Sequence, residues 1–125
     1  METSMTWKYS QSTGELTHNG SFIAKGYSGH GAGINNPSMQ DVYLTGPIPQ
    51  GHYRINGYNN HKGPYTVKLV PILGTNTYGR DAFRIHGDRN DGSYHQASEG
   101  CIVINGAALR KNIASSSDDI LVVVP

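Results

Sequence analysis

Apolar residues in this chain alternate with polar ones over runs of only a few positions, and glycine, proline or asparagine interrupts almost every run. Alternation with period two belongs to strands, so the pattern predicts short half-buried strands rather than amphipathic helices. Residues 6–10 (Thr-Trp-Lys-Tyr-Ser) alternate polar and aromatic, residues 11–14 read as a turn, residues 15–18 pair back, and Asn19-Gly20 is a strong hairpin signal. Residues 21–27 read as the next strand. Others are expected over 52–56, over 66–70 with Pro71 at an edge or bend, and over 82–86, 101–104 and 119–124. A short helix follows Asn105, read as its N-cap, with Ala107, Ala108, Leu109 and Ile113 on it and fraying over 115–117. Two stretches, 28–40 and 87–100, show no period and read as loops. The first is dense in residues that tolerate positive φ, which makes it either a substrate-side element or a surface connector.

Composition bounds the rest. The chain has 125 residues, the size of one domain spanning 1–125. With 15 % charged residues and a net charge of +1, it lacks the self-repulsion of a disordered chain. Eight tyrosines and one tryptophan can thicken a small core. Near-balanced charge offers no basic field for nucleic acid. No apolar run approaches the roughly 18 residues of a membrane span. Residues 1–9 carry Glu2 and no apolar stretch, so no secretory signal is expected and the chain reads as made in the cytoplasm. The single cysteine, Cys101, excludes an internal disulfide.

The chemistry-bearing segment is Phe83-Arg84-Ile85-His86-Gly87-Asp88, then a loop, then Ala97-Ser98-Glu99-Gly100-Cys101-Ile102. In a strand, Phe83 and Ile85 face the core while Arg84 and His86 face the other way. A nucleophilic thiol needs a base and a place for an oxyanion. His86 can be that base, Gly100 permits a tight turn of backbone amides at Cys101, and Ser98 can donate a hydrogen bond within the turn. Glu99 and Asp88 can orient the imidazole. Two other readings use the same residues: a buried, inert thiol beside Ile102, Val103 and Ile104, and a metal site from His86, Asp88, His95 and Cys101, which no tight ligand pair supports.

Ile-His-Gly-Asp (85–88) followed by Ala-Ser-Glu-Gly-Cys-Ile (97–102) resembles the signature of the L,D-transpeptidase (YkuD-like) catalytic domain, a His-Gly followed by a Ser-His-Gly-Cys turn. The resemblance extends to the type VI secretion effectors of that superfamily that act on peptidoglycan. It is carried by Trp7-Lys8-Tyr9, Ser12-Thr13-Gly14, Tyr27-Ser28-Gly29-His30-Gly31, Asn35-Asn36-Pro37, Gly46-Pro47-Ile48-Pro49, Gly51-His52-Tyr53 and Gly79-Arg80, over nearly the whole chain.

This resemblance implies a β-sandwich of mostly antiparallel strands, with Cys101 as nucleophile, His86 as general base, and Ser98 and Gly100 in the nucleophile turn. The amides of Gly100 and Cys101 would form the oxyanion hole. Glu99 stands where the wider superfamily has a second histidine, which leaves His86 as the only base in the motif. The implied reaction is attack on a tetrapeptide stem of peptidoglycan, giving a thioester. Water then gives L,D-carboxypeptidase action and an amine gives L,D-transpeptidase exchange, with no cofactor and no metal. Arg80, Arg84 or Arg89 would hold the stem carboxylate, unless each is simply a solvated charge, and Tyr27 and His30 would cap the cleft. Implied partners are stem peptides, a cognate immunity protein and a secretion-apparatus carrier, and the implied site of action is the periplasm of a Gram-negative target. The alternative from another class is a non-catalytic cell-wall-binding β-domain with a structural cysteine.

Overall fold

The computed structural model describes residues 6–88, 98 and 100–125. Strand β1 (Trp7–Ser10) turns at Gly14 into β2 (Glu15–His18). Asn19 and Gly20 both take left-handed backbone, φ 51° and 86°. A two-residue turn with both φ positive matches the twist of a hairpin. It sets His18 opposite Ser21 at the start of β3 (Ser21–Lys25). The strand expected over 21–27 is broken at Gly26, and the chain continues as β4 (Tyr27–Ser28) elsewhere in the sheet.

Two 3-10 turns, Gly31–Gly33 and Pro37–Met39, punctuate the excursion to β5 (Gly51–Asn59). β5 forms a hairpin with β6 (Thr66–Ile72), followed by β7 (Arg84–His86), β8 (Ile102–Val103), helix α1 (Ala107–Ser115) and β9 (Ile120–Val124). Pro71 lies inside β6, opposite Tyr53 of β5. On the other side β7 reaches only Val67 and Lys68, so no ladder bond is asked of the proline.

The strands form one nine-stranded sheet in the order β3-β2-β1-β9-β5-β6-β7-β8-β4. Its pairings are antiparallel except β1 with β9 and β7 with β8. β3 and β4 are thus opposite edges of the sheet, yet only Gly26 separates them. Laid flat, such a sheet would hold its edges roughly 38 Å apart at about 4.8 Å per strand, whereas two peptide units reach only about 7 Å. The sheet is therefore rolled on itself, and Gly26 is the seam. Its N–H donates to the Gly14 carbonyl at 2.8 Å. A Cβ at Gly26 would fall 1.8 Å from the Val103 carbonyl oxygen, and one at Gly14 would fall 2.0 Å from that of Gly26. The expected two-layer β architecture is built from this single folded-over sheet, mainly β with one helix near the C-terminus.

Alternation fills the inside of the roll. Trp7 and Tyr9, Tyr53 and Ile55, Val67 and Leu69, and Leu121 and Val123 are all buried, and Ile85 and Ile102 join them. Each such side chain contributes about 1.5–3 kcal/mol of burial. Helix α1 packs on β5 and β6 and adds Ile113 to this core. Asn105 is not its cap: Gly106 holds that position, and Asn105 Oδ1 accepts from the Asp88 N–H at 2.9 Å. The side chain thus ties down the turn after β7 instead of starting the helix.

Because the seam tolerates no side chain, Gly26→Ala is expected to destabilise the domain by about 2 kcal/mol, the scale of core overpacking. A thermal melt should show that loss, while Phe22→Ser, on a residue 61 % exposed, should leave the transition nearly in place.

Candidate active site

The parallel pair β7–β8 sets Ile85 beside Ile102 and His86 beside Val103. One residue earlier, the same register puts Arg84 beside Cys101. Faces alternate along a strand, so Ile85 and Ile102 enter the core while Arg84, His86 and Cys101 share the opposite face. All three line one cleft of about 210 Å³, together with Lys62, Arg80, Asp81, Ala82, Phe83, Gly100 and, from the 41–45 loop, Tyr43 and Leu44. Two of these lining residues, Leu44 (φ 59°) and Ala82 (φ 61°), hold left-handed backbone without being glycine. Strain of that kind persists only where the surroundings enforce it, and it gathers at functional sites.

The turn carrying Cys101 is held from within and from behind. The buried Ser98 hydroxyl donates to the Cys101 carbonyl at 2.6 Å and accepts from the N–H groups of Gly100 (3.1 Å) and Gly29 (2.9 Å). The buried Ser28 hydroxyl accepts from the Ile48 N–H at 2.8 Å and donates to the Gly100 carbonyl at 3.4 Å. Gly100 has φ 131°, and a Cβ there would sit 2.3 Å from the Arg80 guanidinium, so only glycine fits. Its amide, which the resemblance placed in the oxyanion pair, donates to Ser98 Oγ in this structure.

Two buried arginines brace the cleft. Arg80 donates to the carbonyls of Gln40, Gly46 and Pro47 and lies 5.9 Å from the Phe83 ring centre. Arg110 donates to those of Pro64, Tyr65 and Ile104. Burial lowers the pKa of both guanidiniums, yet hydrogen bonds to carbonyls and the high intrinsic basicity of arginine keep them charged. Arg80 thereby clamps the loop that presents Tyr43 and Leu44, and Arg110 clamps the tip of the β5–β6 hairpin that presents Lys62.

His86 is buried, and its Nδ1 lies 2.9 Å from the Gly87 carbonyl. A carbonyl only accepts, so Nδ1 carries the proton and Nε2 keeps its lone pair. Burial lowers the His86 pKa, opposed by the Gly87 bond and reinforced by Lys62, Arg110 and Arg84. The Cys101 thiol donates to the Ala82 carbonyl at 3.7 Å. Burial raises its pKa, against the Arg84 backbone hydrogen bond and the charges of Arg84, Lys62 and Arg80. Both shifts favour the neutral form of the side chain.

Other expected site residues fall behind or beside the cleft. Tyr27 is buried, its hydroxyl donating to Asp88 Oδ1 at 2.9 Å. With the Asn105 bond, this fixes the turn that follows His86. His30 is exposed and its loop supplies no lining residue; the residues just before it brace the Cys101 turn. Glu99, Arg89 and His95 lie outside the described residues. Among the described residues, no three His, Cys, Asp or Glu side chains gather as metal ligands, and no helix is long and apolar enough to cross a membrane. Sequence reasoning missed Lys62, Tyr43 and Leu44. The apolar triplet Val42-Tyr43-Leu44 inside a loop was a usable signal for two of them, whereas Lys62 reads like any solvated hairpin tip.

The raised pKa of this half-buried thiol makes a testable claim. Alkylation of Cys101 by iodoacetamide should rise with pH to a midpoint above 9.0, the ordinary thiol value. A plateau already reached near neutrality would mean a standing thiolate–imidazolium pair.

No curated protein matches the chain. Among solved structures it is similar to an L,D-transpeptidase from Mycobacterium smegmatis, with a TM-score of 0.51 and 16 % identity. That likeness, one of fold, covers 98 % of this chain and 59 % of the other. The family model for the Tlde1 domain matches residues 23–123, which takes in the seam, both braced loops and the Cys101 turn. The chain belongs to the Tlde1 domain family, a type VI secretion L,D-transpeptidase-like effector domain.

Proposed function

We propose that this domain is a cysteine acyl-transfer enzyme that cuts tetrapeptide stems of peptidoglycan, with Cys101 as nucleophile and His86 as general base. The observation that carries this reading is the shared cleft of the two residues, with the imidazole fixed in the tautomer whose Nε2 can accept a proton. His86 Nε2 takes the thiol proton as Sγ bonds to the stem carbonyl carbon. The carbon–nitrogen bond then breaks, the proton passes to the leaving amine, and the terminal D-amino acid departs from a thioester. Water adding to the thioester, with His86 again as base, completes L,D-carboxypeptidase action; an amine in its place completes L,D-transpeptidase exchange.

Ser98 and Gly100 position the nucleophile and do not react. With the Gly100 amide committed to Ser98, the Cys101 amide takes the oxyanion, aided by the positive field of Arg80 and Arg84. Tyr27 and Asp88 act through His86 by fixing its turn. No cofactor enters this scheme. In the cell the domain serves as an antibacterial toxin, loaded on a carrier of the secretion apparatus and delivered to the periplasm of a Gram-negative target. A cognate immunity protein that occludes the cleft protects the producer.

Purified muropeptides analysed by mass spectrometry test the chemistry. Loss of one terminal D-alanine, or exchange at that position, is the expected product. Cys101→Ala should give none, and His86→Asn should be slower by at least about 100-fold. Only the neutral imidazole accepts the proton, and its pKa is depressed. Activity should therefore persist as pH falls to 6.5, the ordinary imidazole value, and be lost only below it. Peptidoglycan bound but unchanged, with Cys101→Ala equally toxic in the periplasm, would favour a cell-wall-binding module instead.

A further inference from the structure

Resting on that acyl-transfer reading, we propose that Tyr43, flanked by Tyr78, is a carbohydrate-binding ledge at the mouth of the cleft. Its ring takes the face of the sugar that carries the stem, so the domain favours stems still attached to glycan over free peptides. Tyr43 lines the cleft with Cys101 and His86 yet is 68 % exposed, so one side chain borders both the cleft and open solvent. Val42 and Leu44 beside it are exposed too, and Tyr78 is 45 % exposed. An apolar cluster left in water at the mouth of a cleft marks a ligand surface.

The fold enforces this exposure. Arg80 donates to the Gln40 carbonyl before the 41–45 loop and to the Gly46 and Pro47 carbonyls after it. Within the loop, the Val42 N–H donates to the Met39 carbonyl and the Gly46 N–H to the Val42 carbonyl, both at 2.9 Å. The Gln40 side chain accepts from Gln11 Nε2 at 3.1 Å and from the Gln50 N–H at 2.9 Å. Its own Nε2 donates to the Tyr78 hydroxyl at 3.3 Å, so one glutamine joins the start of the Tyr43 loop to Tyr78. Leu44 (φ 59°) and Tyr78 (φ 56°) both hold left-handed backbone. A loose loop would turn its apolar triplet inward. A clamped and strained one keeps it in solvent, ready-shaped for what covers it.

Size and chemistry select the occupant. At about 210 Å³ the cleft is smaller than the roughly 300–1,000 Å³ of drug-sized pockets. It holds the reacting end of a stem and leaves the remainder across its mouth. In the cell wall that remainder leads to a sugar, covalently tied to the stem and therefore held at high local concentration wherever the stem docks. A pyranose ring has an apolar face of C–H bonds and a rim of hydroxyls. Tyrosine matches both, with a flat apolar body and a polar tip, and it loses little conformational freedom on contact.

Two ligands test this: a tetrapeptide stem on its N-acetylated disaccharide, and the same stem free but N-acetylated, so that neither carries a terminal ammonium. Binding to Cys101→Ala protein is measured by calorimetry, and turnover is measured with the Cys101 enzyme. The glycan-borne stem should bind on the order of tenfold more tightly, the scale of one aromatic stacking contact. Placed in the Cys101→Ala background, Tyr43→Ala should bring the ratio of the two affinities close to one, Tyr78→Ala should lower it, and Tyr43→Phe, which keeps the ring, should preserve it. Equal binding of the two ligands, or a preference intact in Tyr43→Ala, overturns the proposal. So does a preference lost as fully in Tyr43→Phe as in Tyr43→Ala. Absence of turnover with both stems overturns the acyl-transfer reading, while the binding comparison still decides whether the ledge takes a sugar. Tyr43 is exposed, so its substitution keeps the fold, which an unchanged thermal melt verifies.

Discussion

The seam at Gly26 is the contact on which the rest of the structure depends. A sheet edge is a row of unpaired hydrogen-bonding groups, and closure is one way to remove it. Here closure also shapes the candidate site. By carrying the chain from β3 directly into β4 beside β8, it delivers Tyr27, Ser28 and Gly29 to the back of the segment that bears His86 and Cys101. Their hydrogen bonds reach Asp88, Gly100 and Ser98. The back of the candidate site is therefore made by the residues that close the sheet, and a bulky residue at position 26 would separate them.

A second feature is a pair of buried arginines that donate to backbone carbonyls. Hydrogen bonds to neutral carbonyls meet donors' needs without themselves cancelling the positive charge. That charge, with Arg84 and Lys62, opposes protonation of His86 and favours negative charge on sulfur or on an oxyanion. Burial pushes the thiol the other way and dominates at rest. The balance favours the neutral form of both side chains.

Much of this was legible in the residues. The Asn19-Gly20 hairpin, the alternating strands and the short helix follow from local rules of φ and period. His86, Ser98, Gly100 and Cys101 share one motif because they sit on two adjacent parallel strands and the turn that leads into one of them. Less was legible where a side chain's task is set by a distant partner. Asn105 has the chemistry of a helix cap, but a better-placed donor, the Asp88 N–H, claims its oxygen. Arg80 reads as a carboxylate binder in a motif, and nothing local announces that it also donates to the carbonyls of a loop more than thirty positions away. Arg110 looks like the polar face of a helix and is buried.

The sequence by itself determined the class of structure and the motif that holds His86 and Cys101, because strand period, turn chemistry and a compact motif are local properties. It could not tell that residues 21–27 would be divided between the two edges of one sheet, since that depends on the Gly14, Gly26 and Val103 backbones meeting. Only the tertiary structure decided which cations face the cleft and which are bound to backbone, and which loop lines it. Those are outcomes of closure and burial, where each polar group takes the partner that folding leaves within reach.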